Sequence, residues 1–167
     1  MKKERFYSVV RAVVLTMIFA MMFSVTTFAE DISTVNNDLL TSVNTLRESK
    51  GLEPLTLDTE LSGYAAIRAQ EASTSWTHVR PDGTQGCDMI NANKWRGENL
   101  SYIKYTKFGF SISEQQQAAS IMYNNLVASP THYDNMVFGN YTKIGISTYI
   151  SKDGSGTKLT TAYMFSN

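Results

Sequence analysis

The chain has 167 residues, 43% hydrophobic and 18% charged, with three prolines; this supports one domain with a real core, is short for two, and excludes a long disordered or collagen-like chain. Its 15 basic and 15 acidic residues cancel only formally, because Lys2, Lys3, Arg5 and Arg11 face Glu4 alone at the start. Taking those four bases and one acid from the totals leaves 11 basic and 14 acidic residues in the body, a balance that does not attract phosphate backbones and argues against a nucleic-acid partner.

The basic start runs into an apolar stretch from Ala12 that ends at Ala29, before Glu30 and Asp31. A charged region, an apolar region and small residues before a cut are the parts of a signal peptide, and Thr27-Phe28-Ala29 supplies the cut. The layout predicts a signal peptide over residues 1–29 and a single domain over 30–167. An uncleaved anchor is the competing reading, since Ala12 to Ala29 is 18 residues and a spanning helix needs about 17–25. Cys87 is the one cysteine, so no disulfide closes within the chain and core packing must hold an exported domain together. A monomer that meets the membrane only through its signal segment is expected.

Ile32, Val35, Leu39, Val43 and Leu46 fall three or four apart, the stripe of a helix that stops near Lys50, with Gly51 in the left-handed position and Pro54 beyond it. Asp58 is placed to cap a second helix through Leu61, Ala65, Arg68, Ala69 and Ala72, an alanine-rich stripe that predicts close packing. Between Trp76 and Trp95, Pro81, Gly83, Gly86, Asn91 and Asn93 break every period, which predicts a long loop with one short turn of helix; such loops in compact domains usually have a role. A third helix is expected from Ser113, as its cap, to Ala128, with Ala118, Ile121, Met122 and Leu126 inward and Pro130 ending it. The tail switches to period two, Ile144, Ile146, Thr148 and Ile150 and then Leu159, Thr161, Tyr163 and Phe165, joined by the turn at 152–156 as a hairpin. Helices first and an antiparallel sheet late read as α+β.

The chemistry rests on few residues. His78 and His132 are the only histidines, and both fall in loop-like contexts. Imidazole near neutral pH serves as a metal ligand or a proton carrier, and Glu98, in Gly97-Glu98-Asn99-Leu100, is the carboxylate to orient it. The intervals match no compact metal motif, so spacing alone leaves a shared site and hydrogen-bonded structural histidines both open. Ser129 and Cys87 read better as a turn residue and a packed thiol than as nucleophiles. Asp82, Gly83 and Asn135 read as turn and loop-locking residues. Tyr102, Tyr105, Phe108 and Phe110 are either strand packing or the wall of an apolar groove.

Five sequence words in order carry a resemblance: Asn44-Thr-Leu-Arg47 with Gly51-Leu-Glu-Pro-Leu55, Arg68-Ala-Gln-Glu71, His78-Val-Arg-Pro-Asp-Gly83, Gly97-Glu-Asn-Leu100 and Ser129-Pro-Thr-His-Tyr-Asp-Asn135. Over roughly residues 35–165 the chain resembles the CAP superfamily of cysteine-rich secretory, antigen 5 and pathogenesis-related proteins, in its bacterial SCP-like branch. The resemblance implies an α-β-α sandwich with helices on both faces of a central antiparallel sheet, and a cleft in which His78, Glu98 and His132 fall on family positions. A second glutamate that many members carry has no counterpart here, and Glu114 lies at the far end of the third helix.

Three functions follow. In the first, a secreted module binds a divalent metal such as zinc on His78, His132 and Glu98, or a small apolar, lipid, cell-wall or protein ligand. A metal-assisted extracellular hydrolase uses the same residues to activate water. The third is a structural or interaction protein of the envelope without metal.

Overall fold

The computed structural model describes residues 31–167; the expected signal segment lies outside the described residues. Helix α1 (Ser33–Ser49) buries Val35, Leu39 and Val43, and Arg47 continues the same stripe. Its end is as expected, with Gly51 at φ 72°, a value that glycine adopts without strain. Strand β1 (Thr56–Leu57) leads into α2 (Thr59–Thr74), whose first amides, those of Glu60 and Leu61, donate to the Asp58 carboxylate. The long loop contains one turn of 3-10 helix, Gly86–Met89. Then come β2 (Arg96–Tyr105), α3 (Ile112–Val127), α4 (Pro130–Met136), β3 (Lys143–Asp153) and β4 (Gly156–Ser166).

The sheet has the order β1-β3-β4-β2. The β3–β4 hairpin closes at Asp153↔Gly156, and β2 runs antiparallel along the other side of β4, from Arg96↔Ser166 to Tyr105↔Thr157. β1 joins β3 in parallel, so the expected antiparallel sheet is mixed at one edge. A two-residue strand has no period to detect. The period-two alternation separates two cores. Ile144, Ile146, Leu159, Tyr163 and Phe165 pack with Val35, Leu39 and Val43 of α1 and Met122 and Leu126 of α3. On the opposite face Leu100, Ala162 and Met164 pack with Leu61, Ala65, Ala69 and Ala72 of α2. This is the three-layer α-β-α arrangement of an α+β fold.

The alanine face lets α2 approach the sheet closely, and Gly145 on β3 completes the approach: a Cβ there would run into the backbone of Leu61 and Ser62. Arg47 fastens the other layer. Its guanidinium, 1% exposed, donates to the carbonyls of Glu53, Met136, Phe138 and Tyr141 at 2.9–3.0 Å, clasping the end of α1 to the segment between α4 and β3.

Three local expectations change. α3 is capped by Ser111 rather than Ser113, because the Glu114 carboxylate reaches back to the Ser111 amide and completes a reciprocal capping box. Ile121 is 37% exposed, and Ala119 and Gln115 take the inward places. Pro130 ends α3 but also begins α4, so His132 stands on a helix, not a loop; proline's fixed φ and missing N–H suit a first helical turn. Among the described residues no helix is long and apolar enough to cross a membrane.

Candidate functional site

The site starts from an arginine in the alanine stripe of α2. Arg68 is fully buried, and a buried guanidinium must be paired. Its Nε donates to Glu98 Oε2 at 2.6 Å, Nη2 to Glu98 Oε1 at 3.3 Å and to the Thr77 carbonyl at 2.9 Å, and Nη1 to Glu71 Oε2 at 2.5 Å. Burial alone would lower the Arg68 pKa; its bonds to Glu98 and Glu71 outweigh it and hold the group above the ordinary arginine value. Glu71 also binds Arg80 at 3.0 Å, and Arg80 pairs with Asp82 at 2.9 Å. Burial pushes the Glu71 carboxyl up, but Arg80 and Arg68 prevail and keep it below the usual range.

The ion network ends on a histidine. Glu98 Oε1 lies 2.7 Å from His78 Nδ1, and the Glu98 side chain is 3% exposed against 50% for His78. Gly86 makes this possible, since a Cβ at that position would collide with the Glu98 carboxylate and Arg68; its amide donates to the His78 carbonyl at 2.8 Å. A carboxylate accepts, so in the neutral tautomer that this contact favours Nδ1 carries the proton and Nε2 the lone pair.

His132 comes to the same place on α4. Asn99 Nδ2 donates to the His132 carbonyl at 2.9 Å, and Asn135 Nδ2 donates to Asn99 Oδ1 at 2.9 Å and to the Glu98 carbonyl at 3.3 Å. The Gly-Glu-Asn word therefore serves both sides of the site: Glu98 orients one histidine and Asn99 fixes the helix of the other. The rings lie 6.3 Å apart at 45°. Burial, and then the neighbouring His78, lower the His132 pKa, which favours neutral imidazole. With Glu98, Cys87, Asp134 and Asn135 the two rings line a cleft of about 560 Å³.

His78, Glu98 and His132 are thus brought together, in unequal roles. Both oxygens of Glu98 are engaged by Arg68 and His78, so Glu98 orients the His78 ring. Among the described residues no group of three or more His, Cys, Asp or Glu side chains is gathered closely enough to hold a metal ion. Two imidazoles 6.3 Å apart in one cleft are the donors a cation would meet there, with water or a ligand completing its shell.

The other singled-out residues separate. Asp82 closes its own turn by accepting from the Thr84 amide and hydroxyl. Cys87 is a partly buried free thiol, and burial followed by the charge of Asp88 pushes its pKa up, against a nucleophile. Tyr105 stacks on Phe108 at 5.0 Å between centroids, and Phe110 meets Phe108 edge to face at 4.7 Å. Tyr102 instead meets Trp76 edge to face at 4.7 Å, and both line a groove that shares His132 with the cleft. Sequence reasoning missed the roles of Arg68 and Asn99. Arg68 carried a signal, because an arginine on an alanine stripe is buried and must find acceptors for its donors.

The comparisons agree with this architecture. An outer surface protein of Borrelia burgdorferi is similar, with 20% identity over 82% of this chain and 95% of its own, at TM-score 0.58. An extracellular SCP-domain protein of Bacillus anthracis shares 15% identity over 77% of this chain and 39% of its own, at TM-score 0.55. A manganese-bound Ancylostoma-secreted protein, Ac-ASP-7, shares 16% identity over 76% of this chain and 64% of its own, at TM-score 0.52. This chain thus spans about two fifths of the Bacillus protein and under two thirds of the manganese-bound one. No curated protein matches the chain. The sequence profile of the cysteine-rich secretory protein family matches residues 40–165, and with that span and this fold the chain belongs to the CAP family.

Proposed function

We propose that this is an exported CAP-domain binding protein whose cleft takes a divalent cation, zinc or a similar ion, on His78 Nε2 and His132. The open positions of the ion face a small ligand, such as a lipid or cell-wall component, or a protein partner. The observation that carries the reading is the locked orientation of His78: Arg68 pins Glu98, and Glu98 holds Nδ1 at 2.7 Å. A carboxylate behind a ligating histidine fixes its tautomer and raises its basicity. A cation there would polarise an oxygen of whatever ligand completes its shell. The manganese-bound Ancylostoma protein supports divalent-metal binding as a property of the fold's relatives. Export is supported by the basic and apolar start over residues 1–29. Binding is favoured over hydrolysis because Glu98, engaged on both oxygens, is not free to activate water.

Titration calorimetry with zinc tests the reading. Replacing His78 or His132 with Ala weakens binding at least about tenfold, about 1.4 kcal/mol. Glu98→Gln has a smaller effect, and wild-type affinity rises between about pH 5 and 7 as the imidazoles become neutral. Unchanged affinity in both histidine variants would sink the proposal.

A further inference from the structure

Strand β2 is one of the two outer strands of the sheet, and its register fixes which residues face outward. In an antiparallel pair each residue turns its N–H and C=O to the same side, and the side alternates along the strand. The hairpin closes at Asp153↔Gly156 around two residues, which turns the even residues of β4 toward β3 and its odd residues toward β2. The Ile144 carbonyl accepting the Asp58 N–H on the opposite side of β3 agrees with this alternation. Gly97, Asn99, Ser101, Ile103 and Tyr105 therefore bond to β4, and Glu98, Leu100, Tyr102 and Lys104 point their backbone groups away from the sheet. Asn135 takes the Glu98 carbonyl. From Leu100 to Lys104 no described residue covers the edge with a hydrogen bond.

That free edge is built into a groove. Trp76 and Tyr102, 48% and 47% exposed, form one wall, and Asn125, Leu126 and Ser129 form the other. His132 lines both this groove and the histidine cleft. No carboxylate lines the groove. At its outer end Lys104 and Lys158 are directly opposite each other in the ladder, an arrangement of like charges that is unfavourable by itself. Lys158 sits over the Tyr102 ring at 4.8 Å, and the acid nearest Lys104 is the exposed Asp153 at 3.4 Å.

We propose that the outer edge of β2 binds an extended, acidic segment of another protein as an added strand. Backbone is the chemistry that fits: hydrocarbon offers no partner to the N–H and C=O groups of Leu100, Tyr102 and Lys104, whereas a strand offers both at the required repeat. From Leu100, itself only 3% exposed, to the exposed Tyr102 and Lys104, the edge spans about 14 Å at about 3.4 Å per residue, the reach of roughly five residues. An acidic side chain at one end meets Lys104 and Lys158, and the other end enters beside His132. This inference goes beyond the cation reading and does not depend on it.

The probe is a fluorescein-labelled acetyl-Asp-Thr-Val-Thr-Val-Thr-Asp-amide, compared with the same peptide carrying Lys for Asp and with a version N-methylated at alternate residues. Binding is read by anisotropy, and amide exchange by nuclear magnetic resonance, on metal-free protein. The acidic peptide binds at least about tenfold better than either comparison peptide, and it slows exchange of the Leu100, Tyr102 and Lys104 amides. Tyr102→Pro, which removes an outward N–H and leaves the bonds to β4, weakens binding at least about tenfold; the N-methylated peptide makes the same test on unaltered protein. Absence of binding at about 1 mM peptide, or equal affinity for the N-methylated peptide, overturns the proposal. Slowed exchange of the same amides that grows with protein concentration alone also overturns it, in favour of edge pairing between two copies. Loss of zinc binding in His78→Ala with peptide binding intact separates the two readings.

Discussion

Arg47 and Arg68 are equally buried and stand in different electrical surroundings. Around Arg47 the acceptors are four backbone carbonyls, drawn from residues 53, 136, 138 and 141, and burial lowers its pKa. Around Arg68 two of the acceptors are carboxylates, and the second of them, Glu98, passes the constraint on to His78. The first arrangement ends where it begins and ties chain segments together. The second runs from the core to the cleft, so a change inside α2 reaches an exposed imidazole. Burial of a charge does not reveal its purpose; the nature and connections of its partners do.

The largest expected effect is on the carbonyl clasp. Arg47→Met leaves four acceptors without their donor and costs about 3–5 kcal/mol, measured by urea unfolding; a cost under about 1 kcal/mol would mean that water replaces the guanidinium and that the clasp is not structural. The paired arginine behaves differently. Arg68→Met alone costs about 3 kcal/mol by stranding Glu98, while Arg68→Met with Glu98→Leu returns to within about 1 kcal/mol of wild type and still weakens zinc binding, because His78 has lost its orienting carboxylate. If the double variant is as unstable as the single, the network is a clasp like that of Arg47 and the contrast fails. The smallest effect is a pH slope. His132 titrates in the folded state below its ordinary value of 6.5, through burial and then the neighbouring His78. The folded protein therefore binds fewer protons than the unfolded chain as pH falls past 6.5, and stability, complete above that value, declines below it. The urea midpoint should be lower at pH 5 than at pH 7, and His132→Gln should flatten the difference.

The helices and the hairpin were legible because their signals are local. The 3-4 spacing of Val35, Leu39 and Val43, the carboxylate of Asp58 before its helix, and the alternation from Ile144 to Phe165 each declare themselves within a dozen residues. The choice of Ser111 over Ser113 turned on the three-residue interval to Glu114, a local signal that was present and outweighed. Pro130 was ambiguous in kind, since proline both stops one helix and starts another. The site was legible as three residues that the family resemblance puts in one cleft, but not in their unequal roles. Their unequal roles come from Arg68 and Glu98 meeting across 30 positions, a separation over which sequence periodicity carries no information.

Gly145 lines no part of the histidine cleft, yet it gauges it. The glycine sets the clearance between α2 and the sheet, and the guanidinium that grips Glu98 rides on that helix, so the depth of its reach is determined on a strand two places across the sheet from Glu98. Even one methyl group at Gly145 would act as a shim, lifting α2 and drawing Arg68 back from the carboxylate. Tuning of this cleft is therefore open to positions that no ligand ever touches.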